Sequence, residues 1–508
     1  MPATDTPPSA FTPTQDVSLP FAGNGMPPGG VALLDPPGAS QMNPSAGEPS
    51  LPPPAPFTPE VTPAQARKVR VGMVLDAPFP PDARVEREAV ALVEAGYEVH
   101  LLCTRTASHP ERETYYRGMY IHRVAPGDVT WTLPGTQMKT RLPFTGLLKT
   151  LARNVWHVEP SWQALIERFI HYYGIDILHV HDLPLVKTGL AVCKPRQIPL
   201  VADMHENYPA LMAMLKGKSR DGSFDTTRAE HYKRKWDAIE SQSLMDADRV
   251  ITVIDEARER LVHKGIPADK ITVLPNTVDV EKFLQAPVDH SIVSRYKSQF
   301  VMTYVGFING EHRGIHTVLE AMALLRHDIP DLFFIAAGGV RDAYMKQLNA
   351  LIRQHGLEDR VLFTGWMDEA DFVSYIEASD ICLCPHLVND HTNATFPNKV
   401  YLYNLFKKPV ITGSCVPLRR YIELNKCGTW FDSGSAESLA HRIRVLYEDA
   451  ELRRDLGEQG RRMVLEKYNW HVTIPRLLSV YDSLVDELYP DPLSALYKNK
   501  QAALGSPL

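Results

Sequence analysis

The chain has 508 residues, of which 44% are hydrophobic and 22% are charged, and its formal net charge is −6. This composition is typical of a globular protein with two or more domains, and the absence of an overall basic charge argues against nucleic acid as a partner. The sequence contains neither a run of 18 apolar residues nor a secretory signal, so we expect neither a spanning helix nor export.

Residues 1–66 hold 17 of the 41 prolines, together with many small polar residues. Such a segment buries too little apolar surface to offset the entropy of ordering, so we predict that it is disordered. Two interpretations of its role stay open: a solvated tail, or a tether that binds a partner.

A regular alternation of strands and helices begins at Lys68. The run "KVRVGMVLD" predicts a strand, "ARVEREAVALVEAG" a helix that ends at Gly96, and "YEVHLLCT" a second strand. Apolar strands joined by helices are typical of a parallel sheet covered on both faces. The alternation continues to "DKITVLPN", and after a linker a second series begins near Phe300.

The predicted fold class is therefore α/β, with two consecutive, facing Rossmann-like domains whose parallel sheets are doubly wound. We place the first domain at residues 68–285 and the second at 286–475, followed by a helix at 476–490 that crosses back to the first domain and a tail at 491–508. Ligands of such domains bind beyond the carboxyl ends of the strands. No G-x-G-x-x-G or P-loop pattern is present, which disfavours dehydrogenases and P-loop enzymes.

The six cysteines are scattered through both predicted domains. Cys382 and Cys384 alternate within an apolar strand-like run, whereas zinc sites generally use wider pairs with further ligands. We therefore expect core thiols, no metal site, and a reducing compartment, the cytoplasm.

Several fragments, taken in their order and spacing, resemble the family-4 retaining glycosyltransferases. They include "PFPPDARVE", "DILHVHD" and "VADMHENYP" in the first domain, and "GFINGEHRG", "RVLFTGWM" and "FPNKVYLYNLFKKPVI" in the second. The resemblance covers about residues 68 to 487. It implies the GT-B fold and the transfer of a sugar from a nucleotide-sugar donor, bound mainly by the second domain, to an acceptor in the first. It also implies that no metal or other cofactor is obligatory.

Without a metal, a diphosphate has to be held by helix N-termini and cationic side chains. We expect a helix to begin at Pro397, with Asn398 and Lys399 in its first turn, and we place Arg313 and the close-approach glycine Gly306 at the same ligand. The alternative for both cations is an ordinary solvated side chain. By the resemblance, Trp366 and Met367 meet the nucleobase, although plain packing explains them equally well.

The first domain supplies the catalytic candidates His205 and Glu206, which follow a predicted strand. Histidine both donates and accepts protons near neutral pH, and the alternative is a core or capping histidine. Asp82, Arg84 and His181 are candidates for the acceptor side. The alternative for Asp82 is a plain helix N-cap, and His181 is otherwise structural.

The sequence departs from the family pattern at three positions. Family members generally carry two glutamates eight positions apart, and the corresponding residues here are Ala394 and Leu402. A phosphate-binding arginine that often follows the glycine at position 306 is replaced by Phe307. Asp390 or Asn398 is a candidate substitute for the lost carboxylates.

Two segments of the first domain combine basic and apolar residues, at positions 135–157 and 211–220. This composition suits contact with an anionic membrane, where a lipid-linked acceptor is within reach, and an ordinary surface helix is the alternative. The favoured function is a glycosyltransferase of polysaccharide or glycolipid biosynthesis, peripheral at the inner face of the cell membrane. The alternatives are a weak or inactive homologue that serves as a scaffold, and another reaction on the same fold.

Overall fold

The computed structural model describes residues 68–106, 109–110, 112–125, 158–219 and 223–489. The predicted disordered segment, the predicted tail and the basic segment at 135–157 lie outside the described residues. Within the described ranges, no helix is both long and apolar enough to cross a membrane.

The first domain is built on an eight-stranded sheet. Its strands are β1 (Arg70–Pro78), β2 (Glu98–Thr104), β3 (Arg112–Tyr115), β4 (Met119–Val124), β5 (Ile177–His181), β6 (Leu200–Met204), β7 (Arg249–Thr252) and β8 (Ile271–Val273). Its helices are α1 (Ala83–Glu94), α2 (Pro160–Tyr173), α3 (Val186–Cys193), α4 (Tyr208–Gly217), α5 (Thr226–Asp246) and α6 (Asp255–His263). The spatial order is β3-β4-β2-β1-β5-β6-β7-β8, and all pairs are parallel except β3 with β4.

The second domain is built on a six-stranded parallel sheet of order β11-β10-β9-β12-β13-β14. Its strands are β9 (Phe300–Val305), β10 (Leu332–Ala337), β11 (Val361–Phe363), β12 (Ile381–Cys384), β13 (Val410–Gly413) and β14 (Gly428–Phe431). The helices that accompany it are α7 (Val280–Leu284), α8 (His290–Arg295), α9 (Ile315–Leu325), α10 (Asp342–His355), α11 (Phe372–Glu377), α12 (Lys399–Leu405), α13 (Val416–Asn425), α14 (Ala436–Glu448) and α15 (Ala450–Glu466).

The predicted α/β class with two facing Rossmann-like sheets is confirmed. The strands are apolar because helices cover both faces, and all six cysteines are buried as free thiols. Each sheet has a topological switch point, between β1 and β5 in the first and between β9 and β12 in the second. Ligands of such sheets bind at these points.

The last helix, α16 (Trp470–Leu488), leaves the second domain and packs on the first. Its buried side chains Leu477, Tyr481 and Leu484 belong to the same apolar cluster as the strands β1 and β2. The chain therefore passes between the domains twice, and the two crossings touch because the amide of Trp470 donates to the carbonyl of Val278 over 3.0 Å.

Candidate active site

A group of charged and imidazole side chains lies buried where β5 and β6 end against α1. We call it the first-domain charge cluster, and it consists of Arg84, Glu88, His179, His181 and Asp203. The side chains of all five are at most 4% exposed. Alternation along β5 turns both histidines to the same side, and the spacing of four along α1 places Arg84 and Glu88 on one helix face.

Arg84 forms a two-pronged ion pair with Asp203 at the centre of this cluster. Its Nη2 lies 2.7 Å from Oδ1 and its Nε donates to Oδ2 over 3.0 Å. Burial alone would raise the pKa of Asp203, but the charges of Arg84 and His205 outweigh it and hold that pKa well below its usual range. Arg84, which we expected on the acceptor side, thus lies beneath the cleft and fixes Asp203.

His205 follows β6 and reaches the cleft with its side chain 18% exposed. Its Nε2 lies 2.7 Å from Oδ2 of Asp203, and its Nδ1 lies 3.5 Å from Oδ2 of Asp182. Burial lowers the pKa of His205, but the carboxylates of Asp182 and Asp203 outweigh burial and raise it to about 10. The ring is therefore an imidazolium at neutral pH, which suits it to donate a proton or to stabilise negative charge.

We expect His205→Gln to remove part of the protein's pH-dependent stability. Because the folded-state pKa of His205 is raised from 6.5 to about 10, its contribution is full below pH 6.5 and is lost as pH rises through 10. In urea unfolding, the unsubstituted chain should have a higher free energy of unfolding than the variant. This difference should shrink by about 1–3 kcal/mol between these pH values. His231→Gln, at an exposed position, is the matched control, and an unchanged advantage would contradict the prediction.

Glu206 stands beside His205 and faces the second domain. Its carboxylate lies 3.8 Å from Nε2 of His391 across the cleft. Burial and the neighbouring charge of Asp182 raise its pKa to about 7. A carboxyl group with a pKa near neutrality can serve as a proton donor or acceptor, which is consistent with its prediction as a catalytic candidate.

The two remaining acceptor-side candidates have structural partners. Asp82 is the N-cap of α1, since its Oδ1 accepts from the amides of Arg84 and Val85, each over 3.1 Å. His181 is 1% exposed, and its Nδ1 lies 3.2 Å from Oδ2 of Asp203. The side chain of Asp82 stays partly exposed, whereas that of His181 is enclosed within the first-domain charge cluster.

On the second domain, Lys399 and Gly306 meet beyond the end of β9. Gly306 has a φ of +107°, which favours glycine. A Cβ at that position would lie 3.1 Å from Nζ of Lys399, and Nζ itself stands 3.6 Å from the ring centre of Tyr304. Burial, and then the charge of Arg313, lowers the pKa of Lys399 well below its ordinary value.

The helix that carries Lys399 begins two residues later than predicted. It starts at Lys399 rather than Pro397, because the first bond of α-helical spacing runs from the amide of Leu402 to the carbonyl of Asn398. Asn398 is exposed, and its side chain makes no capping bond. With only seven residues in the helix, the charge of Lys399 matters more for binding an anion than the helix dipole does.

Arg313 is held beside this lysine by two neighbours. Its Nε donates to Oδ1 of Asn309 over 3.2 Å, and its Nη1 lies 3.2 Å from Nε2 of His386. Burial and the charge of Arg313 keep the pKa of His386 well below its usual range, so His386 is neutral and accepts from the guanidinium. In the part of the chain that the structure describes, neither Arg313 nor Lys399 forms an ion pair with a carboxylate.

Gly314 sets the position of Arg313, and we expect Gly314→Ala to lower the free energy of unfolding by about 2–4 kcal/mol. Its φ is +71°, and an added Cβ would lie 1.8 Å from the carbonyl oxygen of Pro385. Gly265→Ala is the matched control, since Gly265 has a φ of +92° with nothing within 4 Å and should lose only about 1 kcal/mol. Equal losses in thermal or urea unfolding would contradict the steric argument.

Phe307 and Trp366 form an aromatic pair beside Gly306. Their ring centroids lie 4.8 Å apart at an interplanar angle of 27°, and Trp366 is 45% exposed. Gly339 leaves room for the indole, because a Cβ there would lie 2.4 Å from it. Met367 is instead partly buried against the core. Phe307 thus adds aromatic surface where the family pattern has a cation.

The positions of the two missing glutamates are filled by apolar side chains. Ala394 and Leu402 are 4% and 5% exposed. Asp390 is engaged by the first domain, since its carboxylate pairs with Lys233 and its carbonyl accepts from Asn207 over 3.1 Å. Asp390 is therefore turned to the first domain, Asn398 carries no acid, and neither of these predicted substitutes supplies a carboxylate at the two positions.

Asp182 directly follows β5 and holds His205 from a left-handed backbone position of φ 62°. Sequence reasoning missed two other residues of this region. Tyr304 and His386 are ordinary strand and loop residues in the sequence, and nothing marked them as neighbours of the two cations.

The two domains thus present a histidine and an acid on one side of a cleft and two cations on the other. Two family models match the chain, one described as Glycosyltransferase Family 4 over residues 83–282 and one described as Glycosyl transferases group 1 over residues 287–463. The chain therefore belongs to the family-4 glycosyltransferases, which use nucleotide-sugar donors.

Similar proteins cover most of the chain at low identity. The D-inositol 3-phosphate glycosyltransferase of Pseudarthrobacter chlorophenolicus is 25% identical over 78% of this chain and 89% of its own length. The phosphatidyl-myo-inositol mannosyltransferase of Mycolicibacterium smegmatis is 20% identical over 82% of this chain and 94% of its own. The structure of Anabaena HepE in complex with UDP and glucose superposes with a TM-score of 0.60 at 16% identity, covering 82% of this chain and all of HepE.

Proposed function

We propose that this protein transfers a sugar from a nucleotide-sugar donor to a lipid-linked or glycan acceptor with retention of configuration. The observation that carries the proposal is that Lys399, beside Gly306, and the nearby Arg313 have no carboxylate partner among the described residues and lie across the cleft from His205 and Glu206. Such a pair suits a diphosphate, and its position at the switch point of the second sheet suits a nucleotide.

The transfer would not require an obligatory metal, because these cations can neutralise the diphosphate leaving group. The donor phosphate would help remove the acceptor proton, while the imidazolium of His205 would stabilise negative charge at the reacting centre. Glu206, whose pKa near 7 lets it exchange a proton, would assist from the acceptor side.

The names of two relatives support the proposed acceptor class, since one is named for D-inositol 3-phosphate and the other for phosphatidyl-myo-inositol. We therefore place the enzyme in glycolipid or polysaccharide biosynthesis, in the cytoplasm at the inner membrane surface. Lys216 and Lys218 belong to the basic segment that would face an anionic membrane, although Lys218 also reaches Glu311 over 3.2 Å. Co-sedimentation with anionic vesicles that is lost in high salt would support this membrane placement, and a protein that does not bind the vesicles would contradict it.

The test of the transferase is a nucleotide panel followed by product analysis. UDP, GDP, ADP and CMP, each at saturating concentration, should be screened by thermal shift, because a ligand at about 100 times its Kd adds about 2.7 kcal/mol of stability. The nucleotide that raises Tm then selects the donor, and its sugar should be transferred to a membrane lipid extract with retained anomeric configuration. Absence of any shift and of any product would overturn the proposal.

A second candidate, a weak or inactive homologue that acts as a scaffold, is favoured by one observation. Ala394 and Leu402 lie buried where family members carry the carboxylates that hold the donor ribose and sugar. The same panel separates the two functions, since a scaffold would bind no nucleotide or would bind one without turnover.

A further inference from the structure

The first-domain charge cluster contains several buried polar atoms that no group of the described chain hydrogen-bonds. Both carboxylate oxygens of Glu88, Nε2 of His179 and Nε2 of His181 are buried and have no hydrogen-bond partner. Buried polar atoms are nearly always paired, so an unpaired set of this size calls for a ligand. Arg84 supplies Glu88 with an opposite charge but with no hydrogen bond, because its Nε lies 3.0 Å from Oε1 of Glu88 and donates to Asp203.

The unpaired residues are arranged as a set of metal ligands. One ligand atom from each of Glu88, His179, His181 and Asp203 lies within 4.8 Å of all the others. Two imidazoles and two carboxylates are the donor types that divalent first-row metals accept, and four such ligands satisfy the tetrahedral preference of zinc.

The surroundings also resemble the outer shell of a metal site. Nδ1 of His179 lies 2.5 Å from the hydroxyl of Tyr481, which leaves Nε2 as the atom that turns toward Glu88 and Asp203, each 3.7 Å away. A partner of this kind fixes the tautomer and orientation of a metal-bound histidine. Nδ1 of His181 lies 3.2 Å from Oδ2 of Asp203, which is itself one of the four ligands.

The charge balance favours a cation. The imidazolium of His205 contacts this cluster, since its Nε2 lies 2.7 Å from Oδ2 of Asp203, and the carboxylate of Asp182 lies beside His205. With these two neighbours counted, three carboxylates face two cations, and one formal negative charge remains. A bound water would supply hydrogens to some of the atoms without partners but would leave this charge in place.

We propose that Glu88, His179, His181 and Asp203 bind one divalent transition metal ion, with Zn²⁺ as the best match. The ion is structural, because its four ligands are fully buried beneath the cleft and leave no open side toward a donor. It ties α1 to β5 and β6 and, through His179 and Tyr481, to α16.

The test is the metal content of the full chain, purified without a metal-affinity tag and measured by multi-element mass spectrometry. We expect about one zinc per chain, lost in Glu88→Gln, which keeps size and removes charge. His122→Gln is the control, because His122 is also buried, at 9% exposed, but lies in β4 outside the cluster, where it stacks on Tyr173; this variant should keep its zinc.

A second measurement uses only the unsubstituted chain, so that it decides the matter even if a variant fails to fold. Stripping with a chelator should lower Tm by several degrees, and added Zn²⁺ should restore it, because metal affinity adds directly to stability. A chain that carries no metal and does not respond to Zn²⁺ would overturn the proposal. Zinc retained equally by Glu88→Gln would also overturn it, by placing the ion elsewhere.

Discussion

Replacing Arg84 with methionine is expected to lower the free energy of unfolding by about 3–5 kcal/mol, because removing one partner of a buried ion pair leaves the other charge uncompensated. Here the side chain of Arg84 is 4% exposed and balances two carboxylates, Asp203 at 2.7 Å and Glu88 at 3.0 Å. It also donates to the carbonyl of Leu274, which would lose its partner. Urea unfolding at neutral pH measures the loss.

The matched control is Arg117→Met, which breaks the ion pair with Glu94 on the surface of the same domain. Both side chains of that pair are 49% exposed, and solvent-exposed pairs contribute only about 0–1 kcal/mol. Losses of similar size in the two variants would show that the Arg84 pair is no stronger than a surface contact, and would contradict the electrostatic role assigned to it.

Replacing Lys399 with methionine is expected to weaken the binding of a nucleoside diphosphate about 10- to 100-fold, since a hydrogen bond to a charged group contributes about 1.5–3 kcal/mol. Methionine keeps much of the side-chain volume against Tyr304, so the change is chiefly one of charge. Calorimetric titration with the nucleotide chosen by the panel measures Kd, and Lys346→Met, at an exposed position of α10, should leave it unchanged.

The same titration should detect a proton. In the nucleotide-free protein, burial and the charge of Arg313 lower the pKa of Lys399 well below its ordinary value of 10.5. A bound diphosphate would raise this pKa again, because it favours the charged amine. Binding above the free-state pKa should therefore take up a proton, and affinity should fall as pH rises through that value. Proton uptake, read from the dependence of the enthalpy on buffer ionisation, should vanish in Lys399→Met. Proton uptake that persists in the variant would contradict the assignment of the proton to Lys399.

The order of helices and strands could be predicted from the sequence because the residues that mark each of them lie close together in the chain. Apolar runs such as "FVMTYV" mark buried strands, and Asp82 caps α1 through amides only two and three residues away. The start of α12 was placed two residues early because Pro397 and Asn398 form a turn that precedes the first helical bond.

The interior of the site could not be predicted, because its contacts join distant parts of the chain. Arg84 and Asp203 are 119 residues apart, and His179 and Tyr481 are 302 apart. Arg84 near a helix start looks like a surface residue until the fold turns it beneath β6. Likewise, nothing in the sequence relates Phe307 to Trp366, which meet because the loops after β9 and β11 come together at the same end of the second sheet.

The double crossing between the domains has a mechanical consequence. The two connecting segments run side by side and are joined by a parallel bridge between Val278 and Asn469, with the hydroxyls of Thr277 and Thr473 2.9 Å apart beside it. A single linker would allow the domains to twist freely, whereas a paired linker resists torsion and bends most easily about one axis. We therefore expect opening and closing of the cleft to follow a hinge through this bridge, and a single proteolytic cut in either crossing to leave the two halves associated.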